Sequence, residues 1–177
     1  MNIRFNDCEI GLLGTSRASD FFDLIDANRE RLEDFFAGTV ARTESLEDTE
    51  AYCDAVEARI REGSYLPYII SETDTGKYIG LVDVKSIEWS VPKAELGYFI
   101  DESYAGRGIT SLAVGLVVDL TVSEHGFKKL LCRVNAENLA SINVALKNGF
   151  ELEGTIRRDY VTTSGEVVDL NYYGRVF

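Results

Sequence analysis

A glycine-rich turn between a predicted strand and a predicted helix is the segment best suited to binding a ligand. The turn reads Gly106-Arg107-Gly108-Ile109-Thr110, and the apolar stripe of a helix runs on from it to Leu120. Glycine lets the backbone approach a ligand closely, and the first N–H groups of a helix carry partial positive charge. A phosphate group is therefore the expected ligand of this turn.

Two well-known nucleotide motifs match this turn poorly. It is not a Walker A loop, because no Gly-Lys-Ser/Thr follows it. In a dinucleotide fingerprint Ser111 would occupy the third glycine position, and Glu137 lies later than the ribose contact expects. A lone Gly-x-Gly is a weak signal, so the turn alone does not identify the ligand.

Composition excludes several classes of function. The chain has 177 residues, 45% of them hydrophobic, which predicts one folded domain over residues 1–177. The net charge of −12 argues against nucleic-acid binding; it either favours the approach of a cationic acceptor or serves solubility alone. Three scattered cysteines and a single histidine do not form a zinc pattern, so we expect no metal.

The sequence also gives an expectation about location. The first residues, MNIRFNDCEI, contain no apolar signal-peptide core, and the most apolar helical stretch is too short to span a bilayer. We therefore expect a cytoplasmic protein that does not insert into a membrane.

The apolar periodicity predicts an α+β fold with one mixed, mostly antiparallel sheet flanked by helices. Pro67 places its strand near a sheet edge or makes the start of that strand irregular. Helices are expected within 16–36, over 46–61 after a cap at Ser45, after Gly108, and over 138–148. Strands are expected at 8–14, 65–71, 78–85, 93–101 and 129–134, with two more around the turn at 164–165.

Several further segments, taken with the glycine-rich turn, resemble one enzyme family. Asn138, Ser141 and the pair Gly149-Phe150 are similar to a conserved block of the GNAT acyl-CoA-dependent N-acyltransferases. The resemblance to the Rim-type ribosomal-protein N-acetyltransferases covers nearly the whole chain. The segments that carry it are DFFDLIDANRERLEDFF, AELGYFIDESYAGRGITS, CRVNAENLASINVALKNGFELEG and DYVTTSGEVVDLNYYGRVF. Ser103 departs from the family's Gln or Arg, but backbone N–H groups rather than that side chain hold the phosphate.

The resemblance implies the GNAT fold, with splayed central strands, and acetyl-CoA as the acyl donor. Backbone groups of Phe99 and Ile100 are then expected to pair with the pantetheine arm as an added strand would. Asn138 is expected to hydrogen-bond the same arm, although its residue type suits a helix N-cap equally well. The implied pyrophosphate site consists of Gly106, Arg107, Gly108, Ile109 and Thr110.

The resemblance also implies catalytic roles, with alternatives. The tyrosine acid of many GNAT enzymes is replaced here by Ala145, and Ser141 matches the Rim-type serine that protonates the thiolate; its other role is a hydrogen bond within its own helix. Asp159 matches the family's base, but only across a one-residue deletion, and it is otherwise a surface charge paired with Arg157 or Arg158. Glu95 is the competing base, because a carboxylate on a central strand is rarely there for packing.

Acetyl transfer to a primary amine is the predicted reaction. The family favours the N-terminal α-amine of a protein, which has a pKa near 8 and is therefore easier to deprotonate than lysine. A small amine, such as a polyamine or an aminoglycoside, is the alternative acceptor, and the acidic composition favours it. A non-catalytic acyl-CoA-binding module is the alternative of another class. The family suggests a homodimer.

Overall fold

Eight strands form one sheet in the computed structural model, which describes residues 2–177. The strands are β1 (Ile3–Phe5), β2 (Cys8–Leu12), β3 (Leu66–Glu72), β4 (Tyr78–Glu88), β5 (Lys93–Ile100), β6 (Lys129–Asn135), β7 (Glu151–Val161) and β8 (Val167–Val176). Their order is β1-β2-β3-β4-β5-β6-β8-β7. Neighbours are antiparallel except β5 and β6, which run parallel. The mixed, mostly antiparallel sheet is therefore as predicted.

Six α-helices accompany the sheet in the described part of the chain. They are α1 (Ala18–Asp26), α2 (Arg29–Leu32), α3 (Ala37–Val40), α4 (Leu46–Arg61), α5 (Ile109–His125) and α6 (Leu139–Lys147). Short 3₁₀ turns precede α1 at Thr15–Arg17 and follow β5 at Glu102–Tyr104. Within residues 2–177, no helix is both long and apolar enough to cross a bilayer.

Most element predictions hold, and the exceptions have physical reasons. The helix over 46–61 is confirmed, with Ser45 Oγ accepting a hydrogen bond of 3.1 Å from the Asp48 N–H. β1 was not predicted, because three residues are too few to show a period. Pro67 does not lie at an edge, since β3 pairs with β2 and β4. Its carbonyl accepts from the Leu13 N–H, just past the end of β2, so the donor that proline lacks is missing only beyond the last residue of β2.

The sheet separates two hydrophobic clusters. One contains the inner faces of α5 and α6, with Phe127 and Phe150 fully buried. The other contains α1 and α4, with Phe21 fully buried. Strand β5 alternates between them as predicted: Leu96 packs in the first cluster and Phe99 in the second. Each face of β5 therefore belongs to a different layer of the molecule.

The two parallel strands separate partway along their length. β5 pairs with β6 only through Lys93–Lys129, Ala94–Leu130 and Glu95–Leu131. Beyond Glu95, β5 stays paired with β4 as far as Ile100, and β6 stays paired with β8 as far as Asn135. A gap therefore opens in the middle of the sheet, which is the expected splay.

The Ser45 cap is testable by substitution. Ser45→Ala removes the oxygen that accepts from the Asp48 N–H, so the first turn of α4 loses a hydrogen bond. We expect the free energy of unfolding to fall by about 1 kcal/mol in urea denaturation. Ser123→Ala, an exposed serine on α5, is the control and should be nearly neutral. Equal stability of the two variants would contradict a capping role for Ser45.

Candidate functional site

The glycine-rich turn adopts the geometry that anion binding requires. Gly106 and Gly108 have φ values of 76° and 78°, in the left-handed region that suits glycine. α5 begins at the next residue, Ile109, and no side-chain hydrogen bond caps it. The exposed N–H groups of its first turn thus lie at the positive end of a 17-residue helix. This turn is chemically suited to a pyrophosphate.

The backbone of β5 presents alternate residues to the gap. The Asp101 N–H donates to the carbonyl of Ile79, its opposite residue, at 2.7 Å. In an antiparallel ladder every second pair is bonded in this way. The backbone groups of Phe99 therefore face β4, whereas those of Tyr98 and Ile100 face the gap. The expectation of free backbone groups at Phe99 is wrong for this reason, and Tyr98 takes that place beside Ile100.

A first cavity lies in the gap, and we call it the splay cavity. It has a volume of about 110 Å³ and brings together Glu95, Asn138 and Ser141, three of the predicted site residues. Its other walls are Phe35, Phe36, Lys85, Leu96, Gly97, Tyr98, Cys132, Arg133, Val134, Asn135, Tyr160 and Leu170. Burial raises the pKa of the Cys132 thiol to about 12, so this cysteine is a neutral wall residue.

Ser141 is held by its backbone on both sides. Its N–H donates to Asn138 Oδ1 at 3.0 Å, which makes Asn138 the N-cap of α6. Its carbonyl accepts from the Tyr98 hydroxyl at 2.8 Å, and burial raises the pKa of Tyr98 well above its ordinary value. Tyr98 therefore remains a donor that ties α6 to β5. The Ser141 hydroxyl itself appears in no hydrogen bond within residues 2–177.

The two candidate carboxylates contact the same arginine. Glu95 accepts from Arg133 Nε at 2.9 Å and lies 3.9 Å from Lys85 Nζ. Asp159 accepts from the Tyr172 hydroxyl at 2.7 Å and lies 3.8 Å from Arg133 Nη1. Glu95 lines the splay cavity, but Asp159 does not.

A β-bulge precedes Asp159. Arg158 has φ 56°, its N–H donates to Asp169 Oδ1 at 2.8 Å, and the β7–β8 register shifts between Ile156 and Tyr160. Bulges redirect the side chains that follow them. The alternative pairing of Asp159 with Arg157 or Arg158 is wrong, since its ion-pair partner here is Arg133 on β6.

A second cavity adjoins the first on the side of α3 and α4, and we call it the helix-side cavity. Its volume is about 220 Å³. It is lined by Phe35, Phe36, Ala37, Gly38, Thr39, Arg42, Tyr52, Arg59, Tyr65, Asp83, Lys85 and Tyr160. Phe35, Phe36, Lys85 and Tyr160 line both cavities, so the two form one cleft.

Tyr160 fastens the β7–β8 hairpin over this cleft. Its ring stacks on Phe35 with centroids 5.3 Å apart, and its hydroxyl donates to the Asp34 carbonyl. Thr163 adds hydrogen bonds to Asp34 Oδ1 and to the Glu33 carbonyl, at 2.9 and 2.6 Å. Burial raises the pKa of Tyr160, which keeps its hydroxyl protonated. The hairpin tip thus covers the face of the sheet that carries Glu95.

Sequence reasoning missed several polar residues of the cleft, among them Asp83, Lys85 and Arg133. Asp83 and Lys85 alternate within the otherwise apolar strand β4, and Lys85 lies opposite Glu95 in the register. That alternation was the available signal. Arg133 gave none, because its ion-pair partners come from distant segments. Trp89 stacks on Phe127 and lines neither cavity.

The described residues contain no group of three or more His, Cys, Asp or Glu side chains arranged to hold a metal ion. His125 ends α5, where Gly126 adopts the left-handed conformation at the C-cap. The three cysteines are buried and free.

Comparisons with known proteins agree with this geometry. A family model described as an acetyltransferase (GNAT) domain matches residues 12–151. The ribosomal-protein-serine acetyltransferase of Escherichia coli (strain K12) is 28% identical over 134 residues, which are 75% of this chain and 73% of that protein.

Two solved structures share the fold over nearly their whole length. The ribosomal-protein-S5-alanine acetyltransferase from Vibrio fischeri superposes with a TM-score of 0.91 at 17% identity, covering 99% of this chain and 96% of that one. RimL, a ribosomal L7/L12 α-N-protein acetyltransferase in complex with coenzyme A, superposes with a TM-score of 0.90 at 23% identity. The match covers 100% of this chain and 98% of the RimL chain. Since the family model spans most of the sequence, the chain belongs to the GNAT acetyltransferase family.

Proposed function

We propose that this protein transfers the acetyl group of acetyl-CoA to the N-terminal α-amine of a protein. The observation that carries the proposal is the gap between β5 and β6, which opens beside the uncapped N-terminus of α5. Relatives whose names specify ribosomal-protein acetylation support this acceptor. A small polyamine is the alternative acceptor that the net charge of −12 favours.

The donor is proposed to bind along the turn and the gap. Backbone N–H groups of Gly106, Arg107, Gly108, Ile109 and Thr110 hold the pyrophosphate. The gap-facing backbone of Ile100, together with that of Tyr98, pairs with the pantetheine amides in the manner of an added strand. Asn138 uses its side-chain oxygen to cap α6, which leaves its amide N–H₂ to donate to the same arm.

We assign the general base to Glu95 rather than to Asp159. The reaction forms a C–N bond at the thioester carbonyl, breaks the C–S bond and releases one proton from the amine. Glu95 lines the cavity where these atoms would meet, whereas Asp159 lies outside that cavity and already accepts from Tyr172. An α-amine needs less help than a lysine side chain, because more of it is neutral at pH 7.

Ser141 is proposed to protonate the departing thiolate. Ser141 lines the splay cavity, and its hydroxyl makes no hydrogen bond within residues 2–177, while its backbone is fixed at both N–H and C=O. A fixed donor at the leaving group lowers the barrier to C–S cleavage. The serine regains its proton from solvent after the thiol leaves.

The overall proposal is tested by release of free thiol from acetyl-CoA in the presence of an amine panel. The panel contains peptides with free N-termini, the same peptides blocked at the N-terminus, spermidine and an aminoglycoside. We expect turnover with the free peptides only. Turnover restricted to spermidine would support the small-amine alternative, and binding of acetyl-CoA without any turnover would support a non-catalytic module.

Gly108→Ala tests the pyrophosphate site. The left-handed φ of this residue strains alanine by about 1 kcal/mol, and the strain distorts the first N–H groups of α5. We expect the dissociation constant for coenzyme A, measured by calorimetry, to rise roughly tenfold. Gly126→Ala, at the other end of α5 with φ 70°, carries the same strain and is the matched control. An equal loss of affinity in both variants would show a stability effect only.

Ser141→Ala tests the proposed acid. The backbone N–H that Asn138 accepts remains, so α6 keeps its cap. We expect kcat to fall by roughly tenfold or more, with little change in coenzyme A affinity. Ser90→Ala, in the turn between β4 and β5, is the control and should keep full activity. An unaltered kcat in Ser141→Ala would remove the serine from the chemistry.

Glu95→Gln and Asp159→Asn together test the base. Both substitutions keep a hydrogen-bond acceptor near Arg133 and remove a negative charge. We expect Glu95→Gln to lower kcat/KM by roughly a hundredfold, whereas Asp159→Asn loses less than about tenfold. The opposite ranking would return the base role to Asp159.

A further inference from the structure

The helix-side cavity carries a charge opposite to that of the whole chain. The protein has 30 acidic and 18 basic residues. Yet the charged side chains that line this cavity are three cations, Arg42, Arg59 and Lys85, and one carboxylate, Asp83. Aromatic walls lower the local dielectric constant and so strengthen the field of these charges. The cavity is thus a local positive site in an acidic protein.

The two arginines are held in place without neutralisation. The Arg42 guanidinium lies over the Tyr52 ring at 5.1 Å, and its Nε donates to the Gly38 carbonyl at 2.8 Å. The Arg59 guanidinium lies over the Tyr65 ring at 4.3 Å. Neither forms an ion pair with a carboxylate of residues 2–177. Stacking fixes the planes and leaves N–H groups to donate to a carboxylate ligand.

Asp83 is the one carboxylate among the charged residues that line this cavity. It is 3% exposed, its Oδ2 accepts from the Tyr65 hydroxyl at 3.1 Å, and its Oδ1 has no hydrogen-bond partner in the described chain. Lys85 Nζ lies 3.7 Å from that oxygen, too far for a hydrogen bond. A buried carboxylate oxygen without a donor is costly. The Lys85 ammonium offsets part of that cost, so Asp83 brings little free negative charge to the cavity.

The residues that line both cavities determine the path along which a bound acceptor would extend. Phe36, Lys85 and Tyr160 line both cavities, so a molecule with its amine near Glu95 extends past these residues toward Arg42 and Arg59. A polyamine would place a second cation beside the guanidiniums, which is unfavourable. A peptide with an acidic side chain near its amine supplies an anion for them.

We propose that the acceptor is a peptide N-terminus with an acidic side chain close behind the amine, and that Arg42 and Arg59 bind its carboxylate. The inference rests on the proposed function and narrows its substrate class. It predicts that the cations of the helix-side cavity select an acidic acceptor, although the net charge of −12 favours a cationic one.

Matched peptides test this selectivity. Three C-terminally amidated peptides share the first residue and carry aspartate, asparagine or lysine at the second and third positions. We expect kcat/KM for the aspartate peptide to exceed that for the asparagine peptide by about tenfold, with the lysine peptide lower still. In the double variant Arg42→Gln/Arg59→Gln, the ratio of kcat/KM for the aspartate peptide to that for the asparagine peptide should fall to near one. Arg61→Gln is the control, because Arg61 lies on α4 together with Arg59 but outside both cavities.

Two further arms separate the possible failures. Equal kcat/KM for the aspartate and asparagine peptides would overturn the acidic-acceptor proposal and leave the proposed function standing. Better turnover of free aspartate than of the peptide would overturn the peptide part. Arg59→Glu should shift the preference toward the lysine peptide; an unchanged preference would overturn the role of Arg59.

A binding measurement covers the case in which no peptide is acetylated, which would overturn the proposed function itself. The probe is the aspartate peptide with an acetylated N-terminus, titrated by calorimetry into the unsubstituted protein and the double variant. Binding that is lost in the double variant supports recognition by the arginines. Absence of binding to the unsubstituted protein, or equal affinity for both, overturns it. Circular dichroism checks that the double variant is folded.

Discussion

Backbone groups that diverge in the middle of a sheet must find hydrogen-bond partners elsewhere, and this constraint organises the whole molecule. β5 remains paired with β4 and β6 remains paired with β8, so each half of the sheet keeps its geometry while the space between them stays open. The gap-facing groups of Ile100 are held at a fixed position by that pairing. α5 begins at Ile109, so the end of β5 and the uncapped helix N-terminus are joined by residues 101–108, which contain the 3₁₀ turn and the glycine-rich turn. A ligand with amides at one end and phosphates at the other satisfies both.

Charge acts at two length scales in this protein. The net charge of −12 sets the distant field, and it attracts cations. Within the cleft, Arg133 lies between Glu95 and Asp159, and Lys85 lies near both Asp83 and Glu95. These pairs leave little free negative charge at the centre of the cleft. Recognition at short range therefore follows the local cations rather than the total charge, because screening removes distant contributions beyond about 10 Å.

Features set by neighbouring residues could be predicted from the sequence, and features set by register could not. Ser45 and Asp48 form a local cap, so the start of α4 was correctly placed. The orientation of the Phe99 backbone depends on which β4 residue lies opposite it, and that pairing is not encoded within β5 itself. The Arg133–Asp159 contact likewise joins β6 to a bulged part of β7. The glycine turn was recognisable because its conformation and its chemistry both lie within a few residues.

The alternative role predicted for Ser141, a side-chain hydrogen bond within its own helix, is not made within residues 2–177. Capping of α6 uses the Ser141 backbone N–H, which donates to Asn138 Oδ1, and the Tyr98 hydroxyl occupies the Ser141 carbonyl. The side-chain hydroxyl takes part in neither bond. A catalytic donor needs a fixed position and a free proton, and these two conditions usually conflict because a fixed hydroxyl is normally hydrogen-bonded. Here the backbone supplies the fixed position, which leaves the hydroxyl available. In the proposed mechanism, Tyr98 is a positioning residue that acts on Ser141 through α6.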